Sequence, residues 1–145
     1  VRCYRAILAV QQGNPDQAIG LIRESLADIR TLRDKYAFVY ALLPLASAAL
    51  LKGDAVWAAR ILGAHDVLAE RTGVTVAIAL VSELRIRAER DARERLGTHD
   101  WTQAHAAGSR TSIDALLNEI DANLARRIDR PRKRHSTGRS VRRDS

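Results

Sequence analysis

The segment Gly13-Asn14-Pro15-Asp16-Gln17-Ala18 returns forty positions later as Gly53-Asp54-Ala55-Val56-Trp57-Ala58, each time between two apolar runs of helical period. In both copies a glycine followed by Asn or Asp closes one helix, and an alanine five residues after the glycine opens the next. Glycine and Asn accept the left-handed backbone that stops a helix, and a small residue lets two helices approach closely. A turn repeated at a fixed period is how stacked helical hairpins are punctuated. Such stacks present binding surfaces rather than catalytic pockets.

The chain of 145 residues is one domain's worth of polypeptide, long enough to bury a core. Aliphatic residues dominate, aromatics are few and no sustained two-residue alternation occurs, so the expected fold is all-α. The single cysteine, Cys3, excludes an internal disulfide framework and a cysteine-rich zinc site, and a reduced cytoplasmic setting fits best. The net charge of +7 invites a nucleic-acid reading until it is located: residues 1–125 hold 15 basic and 15 acidic side chains, and residues 126–145 hold nine and two. The body is neutral, and the tail alone is basic.

Methionine is absent and the first residue is Val1, which leads to the expectation of a piece of a longer polypeptide or of a start codon written as valine. The 21 arginines against three lysines suit a GC-rich genome. The apolar stretch Ala6–Val10 is too short for a signal peptide. Tyr36–Leu51 is the one candidate membrane span, but it falls short of the ~20 residues a bilayer needs and Pro44 interrupts it. A buried repeat helix is preferred, and no membrane association is expected.

Helical spacing predicts helices over residues 1–12, Asp16–Arg33, Lys35–Lys52 with a bend at Pro44, and Ala55–Arg71 capped by Asp54. A longer helix, Val76–Leu96, carries the acid-before-base pairs Glu83–Arg87, Glu89–Arg93 and Asp91–Arg95, the mark of a solvated face. After Gly97, Asp100 is expected to cap a short helix from Trp101 to Ala107, with a second break at Gly108-Ser109. Thr111 and Asp114 read as a capping box for a last helix through Ile128. Helical repeats are thus expected over residues 1–128, and residues 129–145 read as a disordered basic tail.

Gln12-Gly13-Asn14-Pro15-Asp16-Gln17-Ala18-Ile19 and Lys52-Gly53-Asp54-Ala55-Val56-Trp57-Ala58-Ala59 resemble the inter-helix turn of tetratricopeptide repeats. Over residues 50–128 the run Ala58-Ala59-Arg60-Ile61-Leu62-Gly63-Ala64, followed by Leu96-Gly97, Trp101, Ala104 and Gly108-Ser109-Arg110, is similar to a narrower group. That group is the C-terminal helical region of large bacterial transcriptional regulators, which join an NTPase domain to tetratricopeptide-like repeats and often to a LuxR-type DNA-binding or an adenylate-cyclase domain. The resemblance implies an α-solenoid of about three hairpins that binds a protein partner or couples the domains of a larger regulator. The chain departs from the pattern in having no phosphate-binding loop, no DNA-reading helix-turn-helix and no cyclase motif. Pro44 stands where a repeat helix normally runs unbroken, and His65 stands where the group has a small residue, which implies looser packing.

Nothing in the residues favours catalysis, and neither an enzyme nor a cofactor is expected. His99 and His105 are six apart, which does not put both on one helix face, and a metal site is not expected. Cys3 lies beside Arg2 and Arg5 but has no partner base in sequence, so it reads as an incidental thiol. Trp57 and Trp101 are expected to fill space between hairpins. Tyr36, Phe38 and Tyr40 read as core of the buried helix, with Tyr36 and Tyr40 also the candidate protein-binding contacts of the middle hairpin. The tail residues Arg130, Arg132, Lys133, Arg134, Arg139, Arg142 and Arg143 have three readings: contacts to phosphates, a solvated extension, or text read past a natural frame. Helix 1–12, with Ile7 and Leu8 uncovered, is expected to fray or self-associate.

Overall fold

The computed structural model describes residues 2–73 and 79–129, which form six α-helices with no strand among the described residues. They are α1 (Arg2–Gln11), α2 (Pro15–Leu32), α3 (Lys35–Leu51), α4 (Ala55–Thr72), α5 (Ala79–Ser109) and α6 (Ile113–Asp129). The all-α expectation therefore holds.

The two repeated turns share their turn and cap hydrogen bonds. Gly13 and Gly53 take φ of 74° and 87°. The N–H of Asn14 donates to the Ala9 carbonyl at 2.8 Å, and that of Asp54 to the Ala49 carbonyl at 2.8 Å. The Gln17 N–H donates to Asn14 Oδ1 at 3.3 Å, and the Trp57 N–H to Asp54 Oδ1 at 3.1 Å. Each cap satisfies one of the donors that a helix start leaves without a partner. Pro15 enters α2 in its first turn, where it has no helical N–H bond to lose. Ala18 and Ala58 then lie fully buried at the hairpin crotch. An ion pair from Lys52 Nζ to Asp16 Oδ1, at 2.6 Å, ties the second turn to the first.

Between α2 and α3 the backbone turns at Arg33, whose φ of 53° is the one positive value outside glycine among the described residues. Asp34 caps α3 by accepting from the Ala37 N–H at 3.0 Å. α3 runs through Pro44 as one helix, and every residue from Ala41 to Leu50 is buried. It earns that burial from neighbours on every side, since it packs against α1, α2, α4 and α5. α1 packs against α2 and α3, and α4 packs against α5.

α5 departs from the expected pattern. Gly97, at φ 82° and ψ 162°, bends it into two arms, but the second arm is helical from Thr98 rather than from Trp101. Asp100 lies inside this arm, not at its cap, and Gly108-Ser109 are its last turn, not a break. Two compact units divide the chain, Val1–Thr111 and Ser112–Ser145. In the second, Ser112 Oγ accepts from the Ala115 N–H at 3.1 Å, so the cap sits one residue beyond the expected Thr111. Leu116, Leu117, Ile120 and Leu124 make a stripe along α6 at three-and-four spacing.

Candidate functional site

Most of the polar side chains that converge do so where α4 meets both arms of α5. The approach is set by two glycines. A Cβ on Gly63 would fall inside the carbonyl of His105, and a Cβ on Gly108 inside the carbonyl of Arg60. The pairs run in opposite senses along the two helices, with backbone against backbone. Only glycine permits so close a crossing. It brings α4 one turn beyond Gly63 against side chains from both α5 arms.

At that turn stands Asp66. Arg85, from the first arm, grips its carboxylate with two bonds, Nε to Oδ1 at 3.0 Å and Nη2 to Oδ2 at 2.6 Å. His105 Nε2, from the second arm, lies 2.8 Å from Oδ2, and His65 Nδ1 lies 3.0 Å from Oδ1. An ionised carboxylate only accepts, so both imidazoles donate here: His65 carries its proton on Nδ1 and His105 on Nε2.

The network continues and closes on itself. Arg85 Nη1 binds Glu89 at 2.8 Å, and the other Glu89 oxygen takes Arg93 Nε at 2.8 Å. The Arg93 guanidinium lies 5.1 Å from the centre of the Trp101 ring, within cation–π reach. Trp101 in turn packs its ring 5.2 Å from that of His105. Six side chains from α4 and both arms of α5 thus form one ring, with His65 attached to it at Asp66. Farther along, Arg95 Nη1 donates to the Leu50 carbonyl at 2.6 Å and ties the first arm to the end of α3.

The charges reinforce one another. Burial by itself opposes ionisation of Asp66, but hydrogen bonds from His65, Arg85 and His105, with the charge of Arg85, hold its carboxyl well below the usual range. Burial also disfavours the Arg85 cation, yet the bond and charge of Asp66, and then those of Glu89, raise its pKa. Glu89 is lowered: burial works against its charge, and Arg85 and then Arg93 outweigh it. The two Asp66 oxygens accept four hydrogen bonds and have no capacity left to activate a water or a nucleophile. The arrangement is chemically a clamp. Among the described residues no group of three or more His, Cys, Asp or Glu is placed to hold a metal ion.

The residues singled out in the sequence fall elsewhere. Tyr36 is 59% exposed, which corrects its assignment to the core; Phe38 is buried as expected, and Tyr40 is half-buried. Trp57 and Trp101 are both buried. The tail residues Arg130 to Arg143 and the Cys3 side chain lie outside the described residues. His65 does not loosen the packing: it is buried and hydrogen-bonded two residues beyond Gly63, where the α4 and α5 backbones meet. Ile7 is 2% exposed, so it is covered, whereas Leu8 is 48% exposed as expected.

Asp66, Arg85 and His105 were not legible as a set, because they come from three helical segments. One signal was available. At the forty-residue offset His65 and Asp66 stand where the first hairpin has Ser25 and Leu26, so the second hairpin places a charge where the first buries a leucine. No protein-family model, curated protein or solved structure matches the chain.

Proposed function

We propose that the chain is a protein-interaction or intramolecular coupling module, a tetratricopeptide-like α-solenoid forming the C-terminal portion of a bacterial transcriptional regulator. One observation supports the solenoid reading above the rest. Alternate helices touch, α1 with α3 and α3 with α5, while the hairpins α1–α2 and α3–α4 close through the same capped turn. A stack of this order makes an extended face from its alternate helices. Tyr36, exposed on α3, and Tyr40 behind it are the contacts assigned to that face. The clamp at Asp66 supports a coupling role, since it makes α4 and both arms of α5 respond as one body. A carboxylate already saturated with donors fits a binding part better than an enzyme.

The genomic sequence upstream of the Val1 codon tests this reading. An open frame that continues the hairpin pattern into an NTPase domain is the expected result; a ribosome-binding site directly before Val1 would contradict it. The confinement of basic charge to residues 126–145 supports a second reading, a small nucleic-acid-binding protein. DNA affinity should then fall steeply with salt in the full chain and vanish in a chain ending at Ile128. No binding by either removes that reading.

A further inference from the structure

Twenty positions separate Arg85 from His105, yet both hold the single carboxylate of Asp66. In an unbroken α5 they would stand about 30 Å apart, at ~1.5 Å per residue. The bend that brings them together rests on one residue. Gly97, at φ 82° and ψ 162°, is the one non-helical position within the 31 residues of α5. That region of the backbone belongs almost solely to glycine. The bend is not packed in place: a Cβ at Gly97 would meet no atom within 4 Å, and Gly97, Thr98, His99 and Asp100 are all exposed. What holds it is the seat of the second arm, through Trp101, His105 and Gly108. A change at Gly97 alone therefore makes α5 one straight helix and lifts residues 98–109 off α4 as a unit.

We infer that this second arm is exchanged between two copies of the chain, each seating residues 98–109 on the α4 of the other. The seat itself selects the occupant. It has a notch at Gly63 that receives the His105 carbonyl, and the arm has a notch at Gly108 that receives the Arg60 carbonyl. Beside the notches, Asp66 accepts from an imidazole three positions before Gly108, and Arg93 lies over an indole four positions earlier still. A second copy of the arm meets these requirements residue for residue. In the exchanged pair each Asp66 keeps Arg85 from its own chain and takes His105 from the other copy. Neither ring is then complete without the partner. The contacts named here are all kept, and α5 gains an unbroken run of helical hydrogen bonds, so the exchange is a low-cost route to a dimer. A short hinge at odds with the helices on both sides is the condition that invites it.

The inference goes beyond the regulator reading and does not rest on it, because it is read from the mass of the chain itself. Alanine is strained at φ 82° but at home in a helix, so Gly97→Ala should favour the straight form. In sedimentation equilibrium Gly97→Ala should dimerise at least roughly tenfold more tightly than the natural chain. Adding Gly108→Ala, which spoils the seat, should abolish that dimer. Hydrogen exchange should show residues 98–109 as protected in the dimer as in the natural chain. A folded Gly97→Ala monomer overturns the inference, with residues 98–109 protected or unprotected alike. So does a dimer that Gly108→Ala leaves intact, because its interface would lie elsewhere. If Gly97→Ala does not fold, the natural chain refolded from urea at millimolar concentration decides. A dimer that disappears when Gly-Ser-Gly-Ser is inserted after Gly97 supports the exchange, since a longer hinge lets the arm fold back on its own α4. A wholly monomeric product, or a dimer that survives the insertion, overturns it.

Discussion

Four hydrogen bonds converge on the Asp66 carboxylate, so replacing it tests the clamp one side chain at a time. Asp66→Asn removes the charge and turns an amide N–H₂ toward the Arg85 donors. With the side chain about one-third exposed, solvent screening tempers the loss, and a destabilisation of about 2 kcal/mol is expected from urea unfolding. The same residue sets a pH dependence. Its carboxyl is held below its usual value only in the folded chain, so the unfolded chain binds the proton more readily. Its contribution is complete above the ordinary aspartate value of 3.8 and is lost as pH falls from there toward the folded pKa. Glu89, also lowered, acts in the same direction near its ordinary 4.5. The acid limb of the stability curve should be shallower in Asp66→Asn than in the natural chain; identical limbs would show that Asp66 carries no linkage.

Between elements, the glycines at the α4–α5 crossing matter more than helix propensity. Alanine normally improves a helix interior over glycine by about 1 kcal/mol. At Gly63 and Gly108 the added methyl meets the carbonyls of His105 and Arg60, and backbone cannot step aside as a side chain can. Gly63→Ala and Gly108→Ala should each lower stability, by about 1–3 kcal/mol or more. Gly20, at the Arg60 position of the first hairpin, has open space around its missing Cβ. Gly20→Ala should therefore raise stability by roughly 0.5–1 kcal/mol. Urea midpoints moving in opposite directions would establish the crossing; equal gains at all three would refute it. The same contrast explains what the sequence could reveal. Gly13 and Gly53 announced themselves through a local pattern of glycine, cap and alanine. Gly108 looked like another turn because nothing local distinguishes a helix break from a helix crossing, and only Arg60, 48 positions away, decides it. Local capping was readable and the Asp66 ring was not: a cap joins two residues three positions apart, whereas the ring needs six side chains from three helical segments.

Within the unit Val1–Thr111, α4 and both α5 arms act as one mechanical body on which α3 packs, and α1 packs in turn on α2 and α3. Three ties join this body and α3: the Asp66 ring, the Gly63–Gly108 crossing and the Arg95 bond to the end of α3. Buried throughout residues 41–50, α3 should open last. The exposed Tyr4–Leu8 face leaves α1 the readiest of these helices to open. Among the described residues no helix is long and apolar enough to cross a membrane. Amide hydrogen exchange of the natural chain beside Asp66→Asn tests the shared body most directly. One common opening free energy is expected for residues 55–72 and 81–109 in the natural chain, with a fall in both α5 arms and α4 together in the variant. A second α5 arm, residues 98–109, that opens independently in the natural chain and is untouched by Asp66→Asn would contradict it.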